Sequence, residues 1–600
     1  MILHPIDWII ASLCILICFL PALAFGRRSS KNTAEFFASG RSVPWWLAGI
    51  SLVATTFSSD TPNLVANIVR TQGVAGNWQW WAFTLTGVAT VFFYARLWRR
   101  SGVLTDLEFY ELRYSGKSAS AVRGFRAIYL GLLFNCMIMA TVDLAACKIA
   151  SVLFGLSRWE TLLAVGLLNV IFAAHSGLWG VLIIDMFQFF IKMAAVIAAA
   201  YFAVELPQVG GMAGLVAKLS QLPGPGGLHY LNMLPNFRDN WELAVAVFIM
   251  PLAVQWWAVW YPGAEPGGGS YVAQRMLASR SEKDSLGGTL FFNLAHYILR
   301  PWPWILVGLA SLIVYPTLQD IQTAFPQVDK SLVGPDIAFP AMLKFLPAGW
   351  IGLMVGGLIA ANSSTILSHL NWGASYLVHD FYRRFLRPTE TEKHYVFAGR
   401  LATVLLFVLS SALVFVLQTA QQSFYLILQV GAGTGLLYLL RWFWWRITAW
   451  CEIAAMLSSF LISAIFFVAG RHGVIVSTDQ QLLFTVIVTT ICWLIVAYVG
   501  PQTDPKTLID FYRKVRPFGP GWKRVRIEAG ISADEAAKWA RTDNIPLALL
   551  GWVTGTILIW AALFMVGNFL YGRMGYGVAL LMVSIISGSV LVGVIRRLWT

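Results

Sequence analysis

Residues 45–70, WWLAGISLVATTFSSDTPNLVANIVR, are apolar at both ends and polar in the middle. The run Ala54-Thr55-Thr56-Phe57-Ser58-Ser59-Asp60-Thr61-Pro62 puts five hydroxyls and a carboxylate inside it. The segment is long enough to cross a bilayer, which takes about 20 residues. Pro62 has no N–H and disfavours helical geometry at Thr61. The reading is a helix broken near the membrane midplane, where irregular backbone survives only if it is buried in protein or lines a watery cavity. Broken helices of this kind hold solute and ion sites in secondary carriers. The plainer alternative is a kinked helix packed through small residues.

The rest of the chain supplies the membrane context. Of 600 residues, 58% are hydrophobic and 12% charged, and the mean hydropathy is +0.67. That excludes an ordinary soluble protein and implies an all-α, polytopic protein of the inner or plasma membrane, with the lipid bilayer as its surroundings. The net charge of +14 does not imply nucleic acid, because the basic residues sit in short loops, where they set topology. The six cysteines lie in apolar stretches without metal-ligand spacing, so neither disulfides nor zinc is expected. The first apolar stretch lacks a basic start and a small-residue cleavage site and is kept as a span.

Fifteen spans are expected, at about 6–25, 45–70, 78–97, 126–154, 160–177, 180–204, 240–262, 287–314, 347–377, 398–418, 423–440, 448–469, 481–500, 546–569 and 576–596. Basic loops follow span one (Arg27, Arg28, Lys31, Arg41), span three (Arg96, Arg99, Arg100), span seven (Arg275, Arg280, Lys283) and span nine (Arg383, Arg384, Arg387, Lys393). Positive loops stay in the cytoplasm, which places the N-terminus outside and the C-terminus, after Arg596 and Arg597, inside. Span seven runs into Tyr261-Pro262-Gly263-Ala264-Glu265-Pro266-Gly267-Gly268-Gly269, which no straight helix survives. Span eleven ends at Arg441 and an aromatic belt, Trp442-Phe443-Trp444-Trp445-Arg446.

Spans two and seven each open a group of five and are both interrupted. Five is odd, so the second group is inverted relative to the first, and paired interruptions point to a transport site. The organisation expected is an extra span and loop (1–44), a first five-helix repeat (45–204), an outer loop (205–239) and a second, inverted repeat (240–446). Two further spans (447–500), a cytoplasmic insert (501–545) and two C-terminal spans (546–600) follow. In the insert, Leu508, Phe511, Tyr512 and Val515 recur at helical spacing in a basic setting. That pattern suggests an interfacial amphipathic helix, or else a solvated connector.

A charge at the centre of a span costs at least about 2.5–3.5 kcal/mol on insertion scales. Asp60, Asp143, Asp185 and Arg300 are the clearest cases. Arg300 has two readings. It forms an intramembrane ion pair with Asp143 or Asp60, or it faces the solute cavity and grips a carboxylate or hydroxyl. His296 lies one turn earlier on the same face and reads as a packing residue. Span nine carries Gly356-Gly357-Leu358-Ile359-Ala360-Ala361-Asn362-Ser363-Ser364-Thr365. Residues three and four apart share a helix face, so the carbonyl of Ala361 points toward the side chains of Ser364 and Thr365. Three neutral oxygens there, with carbonyls freed where span two breaks, suit a weakly held monovalent cation. The alternative is hydroxyls bonding back to the preceding turn.

These stretches resemble the sodium/solute symporter family, which includes bacterial galactose, proline and sialic acid symporters and animal glucose and iodide carriers. The resemblance is carried by Gly40-Arg41-Ser42-Val43-Pro44-Trp45-Trp46 leading into Ser51-Leu52-Val53-Ala54, and by Gly177-Leu178-Trp179-Gly180-Val181 with Asp185 and Gln188. Gln274-Arg275, and Ala361 to Thr365 followed by Asp380-Phe381-Tyr382, complete it. It implies a leucine-transporter-like inverted repeat of five plus five helices over spans two to eleven. The family's sodium ligands match the carbonyls of Ala54, Phe57 and Ala361 and the hydroxyls of Ser364 and Thr365, with Asp185 on the ion exit path. The solute-contacting positions match Thr61, Gln79, Gln255 and Arg300. Gln79 and Arg300 stand where sugar carriers have an acidic residue and a lysine, so galactose-like specificity is not implied. The expected function is sodium-coupled symport of a small polar organic solute by alternating access, without an organic cofactor and with the oligomeric state open. The alternatives are a sensor keeping the transporter fold, an uncoupled carrier, and a proton-coupled one using Asp185 or Asp143. A membrane enzyme is disfavoured because no metal-ligand or nucleophile motif occurs.

Overall fold

The computed structural model describes residues 3–24, 31–222, 224, 228–257, 266–417, 431, 433–472, 476–532, 534–535, 539 and 544–598. Among them there is no β-strand, and ten helices are long and apolar enough to cross a membrane. These ten match spans one, four, six, eight to ten and twelve to fifteen. The other five expected spans differ for identifiable reasons. Span two is broken, span three is assembled from short segments between Trp78 and Ser101, and span seven is broken after Ala253. Span five joins span six in a single run, Arg158–Val204, bent where Gly177 takes φ 55° and ψ −160°, a backbone conformation open to glycine. Most of span eleven lies outside the described residues.

The break in span two lies earlier than Pro62 suggests. One helix runs Trp45–Thr55 and the next Asp60–Gln72, so Thr56–Ser59 is the interruption. Thr61 is helical and Pro62 is the third residue of the second helix. In a first turn the missing N–H has no intrahelical acceptor to lose, so proline is tolerated there. Asp60 opens that helix, where a carboxylate favours the positive end of the dipole.

Span seven departs further. After Trp241–Ala244, a widened turn at Val245–Ile249 and Met250–Ala253, the chain reaches a second helix, Ser270–Ala278. Residues 258–265, which include the first part of the Gly/Pro stretch, lie outside the described residues. Arg275 is therefore no loop residue. It is buried within this helix, and its charge was wrongly counted as a topology marker. Among the described residues, span seven is a helix that ends at Ala253 and a second that begins at Ser270.

Packing places span nine, Trp350–Ser375, against Arg158–Val204, with Pro5–Leu23 covering both. The first half of span two lies along Glu282–Leu294. The four basic loops gather on one face of the molecule. Arg41 donates to Gly102 O at 2.6 Å, Arg100 meets Glu282 at 3.1 Å, Arg384 meets Glu111 at 3.0 Å and Thr33 Oγ1 donates to Glu392 at 2.9 Å. The insert joins this face, where Asp504 N donates to Ser115 Oγ at 2.8 Å. Its helix Pro505–Val515 forms, but Leu508, Phe511, Tyr512 and Val515 are buried against protein, not lipid. Phe511 stacks on Trp522 at 5.5 Å and lies 6.2 Å from Trp442. Trp442, expected in an interfacial belt, is likewise fully buried. It packs on Phe109 at 4.4 Å and Trp98 at 4.8 Å, and its carbonyl accepts from Trp522 of the insert at 2.9 Å.

Candidate functional site

The break exposes carbonyls that no helix ladder satisfies, and each must find a donor within the membrane. Four side chains and the backbone supply them. Leu52 O keeps its ladder bond from Thr56 N at 3.2 Å and also accepts from Thr56 Oγ1 at 3.0 Å. Val53 O accepts from Arg300 at 3.1 Å. Thr55 O accepts from Thr365 Oγ1 at 2.7 Å. Ala54 O takes the Phe57 N–H at 3.1 Å. It is also reached by the Lys192 ammonium at 2.8 Å, and Lys192 lies 3.1 Å from Phe57 O.

Span nine faces this break. Thr365 Oγ1 also lies 3.4 Å from Ala361 O, so helical spacing does bring that carbonyl and hydroxyl together. Ser364 turns instead toward span six and donates to Asp185 Oδ1 at 2.6 Å. Asp185 Oδ2 accepts from Ser51 at 2.5 Å and lies 3.8 Å from Arg275. Arg275 in turn donates to Ser368 Oγ at 2.7 Å and Gln274 Oε1 at 2.7 Å. Span two, span six, the second half of span seven and span nine thus meet through one hydrogen-bonded cluster.

The positions matched to sodium ligands are close together, and two of their carbonyls already meet a cation of the chain. The Ala54 and Phe57 carbonyls are the two acceptors of Lys192. Ser364 and Thr365 give their protons to Asp185 and to Thr55 O.

Arg300 does not contact Asp60 or Asp143. Besides Val53 O it donates to Thr56 Oγ1 at 3.1 Å and contacts His296. Its guanidinium lies over the rings of Phe57 and Trp304 at 5.6 and 5.3 Å. Asp60 accepts from Ser58, whose hydroxyl lies 3.0 Å from Thr61 Oγ1. Asp143 accepts from Asn362 at 2.9 Å, and Asn169 donates to Asn362 at 3.1 Å. Asn362 thus serves one oxygen of Asp143, while Asp143 Oδ2 is buried without a hydrogen-bond partner. Gln79 and Gln255 do meet, Gln255 Nε2 lying 3.2 Å from Gln79 O, and Gln79 bonds Gln72.

Three residues of this region were not singled out from the sequence in these roles. Lys192 is a lone lysine in an apolar span, yet it follows Asp185 by seven residues, two helical turns on the same face. That spacing is the signal that would have found it. Arg275 was masked by its neighbours in a basic run. Asn63, one turn beyond the break, is fully buried with neither amide atom hydrogen-bonded. A small cavity nearby is lined by Thr86, Thr90, Thr289, Asn293 and Tyr297, and within it Thr86 Oγ1 and Asn293 Oδ1 have no hydrogen-bond partner.

Comparison with known proteins fits this geometry. The sodium:solute symporter family model matches residues 36–460. The chain is 24% identical over 448 residues to the sodium/glucose cotransporter of Vibrio parahaemolyticus, covering 72% of this chain and 79% of that one. It is 23% identical over 535 residues to the human sodium/myo-inositol cotransporter 2, covering 81% and 76%. A solved substrate-bound, outward-open structure of a Na+-coupled sialic acid symporter superposes with a TM-score of 0.64 at 17% identity, covering 84% of this chain and 99% of that one. That likeness establishes the leucine-transporter-like fold. The family's model spans both interrupted helices and the whole cluster between them: the chain is a multi-pass membrane transport protein, not an enzyme, and it belongs to the sodium:solute symporter family.

Proposed function

We propose that this protein carries a small polar organic solute, a sugar, sugar acid, amino acid or other carboxylate, across the cell membrane by alternating access. The observation that carries the reading is the pair of interrupted helices, at Thr56–Ser59 and after Ala253, packed beside span nine. Two discontinuous helices at matching places of an inverted repeat leave backbone and side-chain dipoles at the midplane, where a solute exchanges its water for fixed partners. Thr61, Gln79, Gln255 and Arg300 are the solute-facing residues of this reading, and Asn63 adds an amide whose hydrogen bonds are open. The basic face is cytoplasmic in this account.

Sodium is named as the coupled ion of the relatives, and the same reading assigns the contact of the span-two break with span nine as the coupling-cation site. A second version, a carrier that takes no sodium at this position, is favoured by one contact, the Lys192 ammonium on Ala54 O and Phe57 O.

The test is a thermal-shift screen of the purified protein against sugars, sugar acids, amino acids and small carboxylates. A ligand bound only by the folded state raises its stability. A concentration-dependent rise for one of these classes is expected. A folded protein that responds to none of them contradicts the carrier reading.

A further inference from the structure

Lys192 sits mid-span in Gly177–Val204 and is 1% exposed. An ammonium there is costly unless its protons are hydrogen-bonded. Two of them are, to Ala54 O at 2.8 Å and Phe57 O at 3.1 Å, and the charge lies 5.2 Å from the centre of the Phe57 ring. The acceptors are the two break carbonyls expected to hold an ion. We propose that Lys192 is the resident cation of this site, tethered to the chain at the position assigned above to the coupling cation, so that the site takes no sodium from solution. The inference rests on the reading that the contact of the break with span nine is the coupling-cation site.

Two observations support it. One pair of carbonyls serves one cation, since an ion held between them would touch Nζ and meet its full charge. The charge balance points the same way. Lys192, Arg275 and Arg300 reach the break from three helices, and Asp185 is the carboxylate of the cluster. A sodium ion added there would be a fourth positive charge, against the carboxylates of Asp185 and, at the far end of the break, Asp60. A tethered ammonium satisfies the freed carbonyls whatever the ion content of the medium, which is the physical advantage of building the cation into the chain.

The experiment is equilibrium binding of 22Na+ to the purified full-length protein in sodium-free buffer, on the wild type and on Lys192→Ala. The expected result is no saturable component in the wild type and a saturable component in Lys192→Ala, where the two carbonyls are vacated. Saturable binding by the wild type overturns the proposal. So does its absence from a Lys192→Ala protein that elutes as a single folded species. Should that variant not fold, the wild type decides by itself: its melting temperature is to be the same in sodium chloride and in choline chloride of equal ionic strength, and a sodium-specific rise refutes the tethered cation. These readouts are separate from the solute screen. Sodium binding by a protein that also responds to a solute removes this inference alone, and a protein without any solute response removes the carrier reading.

Discussion

Ser364 Oγ donates to Asp185 Oδ1 over 2.6 Å, tying span nine to span six at the level of the break. Asp185 also lies 3.8 Å from Arg275, and both side chains are fully buried. Removing one partner of a buried pair leaves an uncompensated charge, at a cost of about 3–5 kcal/mol. Asp185→Asn is therefore expected to lower the melting temperature strongly. The double variant Asp185→Asn/Arg275→Gln, with both charges gone, is expected to recover part of the loss. Additive losses in that cycle would mean the two residues do not interact.

Arg300 holds the break open by bonding Val53 O and Thr56 Oγ1, each at 3.1 Å, with one terminal nitrogen. A lysine keeps the charge but not the planar fork that serves the break and His296 together. Arg300→Lys is expected to lower both thermal stability and solute affinity, because the break that frames the solute is no longer fixed. Unchanged values for both in a folded variant would remove Arg300 from the account.

The first half of span two approaches span eight closely enough to need glycine. A Cβ on Gly49 would lie 2.9 Å from Gly288 O and 2.8 Å from Phe291 Cδ1. Small residues permit such approaches between membrane helices. Overpacking costs about 1–3 kcal/mol, so Gly49→Val is expected to lower the melting temperature, and Gly288→Val likewise, with Trp45 O 3.0 Å from its Cβ. A Gly49→Val protein as stable as the parent would show that the two helices are not in contact.

Outside the membrane, Glu111 gives a pH signature. Burial by itself raises a carboxyl pKa, but hydrogen bonds from Arg384, Ser120 and Arg123 outweigh it and bring Glu111 from its ordinary 4.5 down to about 2. A folded-state value below the unfolded one stabilises at higher pH. The contribution is complete above about 4.5 and is lost as pH falls toward about 2. Melting temperature measured across that window should fall less steeply in Glu111→Gln than in the parent. Parallel curves would contradict the assignment.

Much of this was legible from the residues. Five hydroxyls and a carboxylate between apolar ends identify a broken span, and the spacing of Ala361 and Thr365 places that carbonyl and hydroxyl on one face. The position of the break was not legible, because a proline in a first turn and one that ends a helix look alike in sequence. The 505–515 face was read correctly as apolar on one side, but periodicity does not say whether lipid or Trp442 covers it. Lys192 was passed over for a related reason. A lone lysine in an apolar span becomes meaningful only once another helix delivers its freed carbonyls to it.

The most direct measurement is solute uptake into proteoliposomes, using the solute identified by thermal shift, with sodium or choline as the external cation. Saturable uptake at the same rate in both media is expected of a carrier whose break carbonyls are held by Lys192. Absence of saturable uptake by the folded protein contradicts the carrier reading, and uptake that falls to background when choline replaces sodium contradicts the tethered cation alone.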